Sequence, residues 1–144
     1  MVQLYTKTFG QSPKEVKKLS GAGSNRQYYR ITSSDGTTCI GVIGESYKEN
    51  HAFLALADQM SKKGINVPKV IAVSDDEMSY LLEDLGDTSI YDIISKSKAQ
   101  GDAWNTECVS LLEQIMTDLP TIQFETAKAF DFNNCSREKE FWPM

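Results

Sequence analysis

Two β-type runs flank the segment Ser33–Gly36, and its Asp-Gly pair is the strongest local constraint on the fold. An Asp-Gly pair tolerates the positive φ angles of a tight turn, so the flanking runs are predicted to pair as antiparallel strands. These runs are 26–32 and 37–43. A further strand over 15–19 precedes them, across a glycine-containing loop. The front of the chain is therefore predicted to form three consecutive antiparallel strands.

The apolar period changes to that of a helix between 47 and 63, and Gly64 stands where a C-terminal cap belongs. The apolar side chains predicted to pack on the sheet are Phe53, Leu54, Leu56, Ala57 and Met60. A second hairpin follows, with strands over 69–73 and 79–83. The predicted fold class is α+β: a five-stranded antiparallel sheet with one helix between strands three and four, followed by two helices.

The first of the two later helices is predicted over 89–94, after a linker, with Ser89 and Asp92 available to cap it. The second is amphipathic, covers 106–119 and is predicted to end at Pro120. Its apolar stripe indicates core packing rather than a cofactor site. At the other end of the chain, 2–9 fits either a helix or a strand.

Composition excludes several function classes. The net charge of -5 argues against a nucleic-acid partner, because phosphate binding needs a basic face. Cys39, Cys108 and Cys135 have neither zinc-site nor redox-motif spacing, which favours reduced thiols. No run approaches the ~18 apolar residues of a membrane span, and no leader is evident at the start. We therefore expect a cytoplasmic protein that does not contact a membrane.

The loop Gly21–Arg26 is the main candidate for chemistry. A glycine turn between strands lets backbone N–H groups approach phosphate oxygens, and Ser24, Asn25 and Arg26 add side-chain donors. Gly21 and Gly23 do not complete a G-x-G-x-x-G pattern. By spacing alone, an ordinary hairpin loop with an exposed arginine is the favoured interpretation.

The string GSNRQYYRI, residues 23–31, resembles the loop between the first two strands of the aminoglycoside phosphotransferase and choline kinase superfamily, which has a protein-kinase-like fold. The order of strand three, helix and hairpin resembles the rest of that family's N-terminal lobe. The later string YLLEDLGD, residues 80–87, is similar to the hinge that contacts adenine. Its Leu-Glu-Asp-Leu-Gly part resembles most the bacterial branch that includes kinases of N-acetylated amino sugars.

The resemblance implies that ATP phosphates lie at Gly21, Gly23, Ser24, Asn25 and Arg26. It also implies that adenine is bound by the backbone of Glu83, Asp84 and Leu85. The side chains of Glu83, Asp84 and Asp87 are predicted to be solvated.

Kinases of this shape usually carry a strand-three lysine on the phosphates, paired with a glutamate of the next helix. The third strand here, 39–44, has no basic residue. We therefore expect the nearby Glu45 and Glu49 to be solvated. Arg26 or Arg30 is predicted to replace the lysine, with Arg30 facing the same side as Tyr28.

Phosphoryl transfer also needs a catalytic aspartate in an H-x-D-x-x-x-x-N loop and a metal-holding aspartate. The single histidine, His51, has neither the spacing nor the partner for that loop, and we expect a surface or partly buried helix residue. The resemblance thus implies a nucleotide-binding lobe over 1–86. It further implies that 87–144 is the start of a C-terminal lobe that continues beyond this chain and supplies the Mg²⁺ ligands.

Two functions follow from these observations. The first is the N-terminal part of an ATP-dependent phosphotransferase acting on a small-molecule hydroxyl, such as that of an amino sugar or aminoglycoside; the chain alone is expected to be inactive. The second is a non-catalytic kinase-like module that binds a protein. The apolar face of 106–119 also predicts a possible homodimer, because an exposed stripe favours association.

Overall fold

A computed structural model describes residues 1–20, 25–102, 104–128 and 130–134. The chain divides into two compact units. The first comprises Met1–Asp84 together with the described residues 130–134, and the second is Leu85–Ala129. The nucleotide-lobe boundary predicted at residue 86 remains a prediction.

The first unit is built on a five-stranded antiparallel sheet. Its strands are β1 (Glu15–Lys18), β2 (Gln27–Thr32), β3 (Thr38–Ile43), β4 (Val70–Val73) and β5 (Ser79–Glu83), arranged in the order β1-β2-β3-β5-β4. Helix α1 (Val2–Phe9) precedes the sheet, and helix α2 (Tyr47–Lys62) connects β3 to β4. The predicted α+β class and five antiparallel strands are confirmed. The segment 2–9, which fitted either a helix or a strand, is a helix.

The hairpin between β2 and β3 forms through local chemistry. Gly36 has a φ of 88°, a conformation that glycine adopts without a Cβ clash. The Asp35 carboxylate accepts from the backbone N–H of Thr37 at 2.9 Å and also from the Ser33 hydroxyl. These hydrogen bonds, that of Ser33 first, lower the pKa of Asp35 to about 2.

Each face of the sheet carries one buried apolar cluster. On the face that contacts α1 the cluster contains Tyr5, Ile31, Cys39 and Leu81. On the face that contacts α2 it contains Val42, Tyr80 and Leu82, with Tyr28, Ile40, Phe53, Leu54 and Val70 packed around them. Each large side chain fully buried in this way contributes about 1.5–3 kcal/mol to folding.

The helix α2 departs from the predicted packing at one position. Phe53 and Leu54 contact the sheet as predicted, but Leu56 is 38% exposed, so its predicted place against the sheet is wrong. Residue 56 lies about 60° around the helix from Phe53 but about 200° from Leu54, which places it at the margin of the face that this pair presents to the sheet. Gly64 follows the last turn with a φ of 74°, as a C-terminal cap does.

The second unit contains α3 (Ile90–Ala99) and α4 (Thr106–Pro120). A capping box, in which the side chains of Ser89 and Asp92 each bond to the other residue's backbone, begins α3, as predicted, but the helix is longer than 89–94. The α-helical stretch of the amphipathic helix ends at Pro120, as predicted. The backbone continues as a π-helical stretch, Thr121–Glu125, and then as α5 (Thr126–Lys128).

The apolar stripe of α4 is buried at one end and exposed at the other. Cys108 is completely buried, whereas Met116 is 67% exposed. An open groove on this unit is lined by Trp104, Val109, Leu112, Glu113, Met116 and Thr117. Within the part of the chain that the structure describes, no helix is both long enough and apolar enough to cross a bilayer.

Candidate functional site

Arg26, the last residue of the candidate loop, folds back onto the first turns of α2. Its Nη2 donates to the backbone carbonyl of Glu49 at 2.8 Å, and its Nε donates to Oδ1 of Asn50 at 3.4 Å. The guanidinium carbon lies 5.3 Å from the centre of the Phe53 ring, within cation–π range. Arg26 therefore has a defined position on α2 rather than that of an exposed loop arginine.

Asn50 is the residue through which this position is connected to the sheet. It is completely buried, and its Nδ2 donates to the backbone carbonyl of Glu77 at 2.9 Å. Glu77 lies in the β4–β5 turn and has a φ of 55°. The two ends of one buried amide thus contact the turn between two strands and the arginine that precedes β2.

Arg30 forms an ion pair with Asp84 at the end of β5. Nε lies 2.6 Å from Oδ2 and Nη2 lies 3.1 Å from Oδ1, a two-point arrangement. The Asp84 side chain is 5% exposed, so the prediction that this carboxylate is solvated is wrong. The strand order explains the error, because residues far apart in sequence meet where β2, β3 and β5 lie side by side.

The predicted adenine-binding backbone has one group already in use. The N–H of Glu83 donates to the carbonyl of Lys69 at 2.9 Å, and the Glu83 carboxylate accepts from the N–H of Lys69 at 3.2 Å. An adenine edge at this segment would therefore need other backbone groups of Glu83, Asp84 or Leu85. Leu85 begins the second unit and has a side chain that is 67% exposed.

Strand β3 presents apolar side chains where a lysine was expected in kinases of this shape. Ile40 and Val42 lie on the face that contacts α2, beside Tyr80 and Leu82. The cations on this side come instead from β2 and the residue before it. Arg30 shares the side of Tyr28 by strand alternation, as predicted, and Arg26 reaches α2.

Tyr80 extends the aromatic layer beneath Arg26. Its ring stacks on Phe53 with a centroid separation of 5.3 Å, and the residue is completely buried. Burial raises the pKa of Tyr80 to about 12, although the nearby charge of Arg26 opposes that rise. Among the described residues the Tyr80 hydroxyl finds no hydrogen-bond partner.

His51 is a partly exposed helix residue, as predicted. Its Nδ1 lies 2.9 Å from Oε2 of Glu77, and its Nε2 lies 3.3 Å from Oδ1 of Asn134. The ring stacks on Tyr47. The hydrogen bond to Glu77, followed by that to Asn134, raises the pKa of His51 above its ordinary value of 6.5.

Of the other predicted residues of the candidate loop, the structure describes only Asn25. Asn25 is exposed, whereas Gly21, Gly23 and Ser24 lie outside the described residues. Cys39 and Cys108 are free and buried, and burial raises the pKa of the Cys39 thiol. Cys135 lies outside the described residues. Across the described ranges, no three histidine, cysteine or acidic side chains form a group that fits a metal ion.

A scan against protein-family models and a search of curated proteins both gave no match. The candidate site is therefore described by the contacts of its own residues. That geometry brings Arg26 to α2 and Arg30 to Asp84, on one side of the sheet.

Sequence reasoning missed Asn50 and Tyr80. A polar residue one position before His51 in an amphipathic helix gives no local signal of burial. Similarly, tyrosine is intermediate between the buried and the exposed residue types, so a tyrosine in a β-type run does not by itself indicate burial. Both roles depend on contacts between segments more than 20 residues apart, such as the 27 residues that separate Asn50 from Glu77.

Proposed function

We propose that this chain is the nucleotide-binding part of an ATP-dependent phosphotransferase that acts on a hydroxyl of a small molecule. An amino sugar or an aminoglycoside-like compound is the favoured substrate class. The observation that carries the proposal is the arrangement of two arginines on the α2 side of β2, within the string GSNRQYYRI that resembles the superfamily's phosphate loop. The order of three strands, helix and hairpin supports it further.

In this proposal, Arg26 provides the positive charge that a strand-three lysine provides in related folds. A guanidinium offers several N–H donors in a rigid fork that suits phosphate oxygens. Backbone groups after β5 would bind the adenine edge. ATP supplies the phosphoryl group when bound, and this chain's own residues bind and orient it.

The described residues do not fit Mg²⁺, because they contain no cluster of three acidic or histidine side chains. Asp84, a buried carboxylate that follows β5, is paired with Arg30. We therefore assign neither metal binding nor the transfer step to these residues.

The experiment that tests this proposal is isothermal titration with ATP in the presence of magnesium, on the wild-type chain and on Arg26→Ala and Arg30→Ala. Each substitution removes a cation from the proposed site, and we expect each to weaken affinity by about tenfold, as loss of a charged hydrogen bond does. Ile31→Ala is the matched control, since Ile31 is buried on the opposite face of the sheet. Equal affinity in the wild type and both arginine variants would refute the proposal.

A second candidate function, a non-catalytic kinase-like module that binds a protein, is favoured by one observation. Ile40 and Val42 occupy the face of β3 where a phosphate-binding cation was expected. Phosphotransfer assays on protein expressed from the complete open reading frame distinguish the two functions. Transfer to an amino sugar supports the enzyme, and intact ATP after prolonged incubation supports the module.

A further inference from the structure

The amide of Asn50 has one possible orientation. The carbonyl of Glu77 can accept only from an N–H, so Nδ2 must face Glu77, and Oδ1 then faces Nε of Arg26. A buried amide whose two ends are both bonded is a fixed group, because turning it would leave buried atoms unsatisfied.

Gly44 holds this amide from a second side. A Cβ at position 44 would lie 2.1 Å from Oδ1 of Asn50, closer than real Cβ atoms approach. Gly44 also donates its N–H to the carbonyl of Met78 at 3.0 Å, which fixes its own backbone. Asn50 is therefore enclosed between Gly44, which follows β3, and the turn that precedes β5.

Arg26 meets three features of α2 at once. The carbonyl of Glu49 and the amide of Asn50 accept from its guanidinium, and the ring of Phe53 lies beneath it. Two hydrogen bonds and an aromatic face together orient this guanidinium.

We infer that Asn50 is a positioning residue that holds Arg26 in place to bind the phosphates of the nucleotide. The inference rests on the proposed function and deepens it. Fixing a long side chain before the ligand arrives removes an ordering cost from binding, so loss of the Asn50 amide weakens affinity although Asn50 does not touch the ligand.

The test measures the position of Arg26 and nucleotide affinity separately. The Nε–Hε resonance of Arg26 in ¹⁵N-correlated NMR spectra reports the hydrogen bond to Asn50 without any ligand, and Arg26→Lys identifies that resonance. Affinity for magnesium-ATP is measured on the wild type, Asn50→Ala, Arg26→Lys and the double variant. Ile31→Ala is the control for lost stability, because its side chain is buried on the α1 face.

We expect Asn50→Ala to shift the Arg26 resonance and to weaken ATP affinity by about tenfold. Arg26→Lys should weaken ATP affinity by a similar factor. The double variant should bind ATP no more weakly than either single variant, because each single substitution already removes the same interaction. Ile31→Ala should leave both readouts unchanged. If the wild type binds ATP and Asn50→Ala binds it equally well, the positioning role is refuted. If the wild type does not bind ATP, the proposed function itself fails. If Asn50→Ala does not fold, Arg26→Lys becomes the test, because lysine keeps the charge and loses the Nε donor. ATP affinity equal to that of the wild type in Arg26→Lys would then refute the positioning role of Asn50.

Discussion

The guanidinium of Arg30 on β2 and the carboxylate of Asp84 after β5 form a two-point ion pair across 54 residues of sequence. The carboxylate side chain is 5% exposed and the arginine side chain 21% exposed. Arg30 therefore has a structural partner in the same region in which we propose that it contributes to nucleotide binding. Its substitution should affect both folding and binding.

Arg30→Ala should lower the free energy of unfolding by about 3 kcal/mol, because it leaves a buried carboxylate without this partner. The double variant Arg30→Met with Asp84→Leu should recover most of that loss, since apolar replacements remove the buried charge as well. Urea denaturation measures both. Lys62→Ala is the control, because the Lys62–Asp58 pair has the same 2.6 Å separation but exposed side chains. A similar loss in Lys62→Ala and Arg30→Ala would contradict the distinction between buried and exposed pairs.

Gly44→Ala should lower the free energy of unfolding by about 1–3 kcal/mol, as overpacking of a dense site does. The added methyl group would meet the Asn50 amide at 2.1 Å. Adding Asn50→Ala to this variant should cost less than Asn50→Ala costs in the wild type, because the clash is removed with the amide. If thermal denaturation showed strictly additive losses of stability in the single and double variants, the effect of Gly44→Ala would not arise from contact with Asn50.

Tyr80→Phe should raise the free energy of unfolding by about 1 kcal/mol, since it removes a buried hydroxyl that has no partner among the described residues. The stack on Phe53 is kept, because phenylalanine has the same ring. Chemical denaturation compares the variant with Tyr28→Phe, a half-buried tyrosine of the same cluster. A marked destabilisation by Tyr80→Phe would mean that the hydroxyl is hydrogen-bonded.

The pair of His51 and Glu77 should make stability depend on pH. The pKa of His51 is raised above 6.5, so the contribution of the pair is complete below that value and is lost as pH rises through the folded-state pKa. The wild type should therefore lose stability relative to His51→Gln between about pH 6 and about pH 9. Denaturant midpoints at both pH values measure this, and NMR titration of the His51 ring measures its pKa. A folded-state pKa below 6.5 would contradict the assigned hydrogen bonds.

The sheet could be predicted from sequence because its determinants are local. The turn at Asp35-Gly36 and the apolar alternation of the flanking runs each act within a few residues, and both predicted hairpins formed. The same is true of the capping box at Ser89. The end of α4 at Pro120 is local as well, because the proline ring and its missing N–H disfavour further α-helix, and the residues that follow pair in the π pattern.

The site could be predicted only in part. The candidate arginines were identified from a local string, but their partners were not, because Arg26 meets Asn50 and Arg30 meets Asp84 across the folded sheet. The prediction that the Asp84 carboxylate is solvated was wrong for this reason. Sequence spacing does not reveal which charged or polar residue becomes buried when strands from distant segments lie side by side.

The most direct test of the account is a titration of ¹⁵N-labelled chain with magnesium-ATP, followed by amide chemical shifts, since this method detects weak binding and locates it. We predict saturable shifts at Asn25, Arg26 and Arg30, and at Asp84 and Leu85. No shifts at millimolar nucleotide would contradict the central claim. Shifts confined to the groove lined by Trp104 and Met116 would contradict it equally.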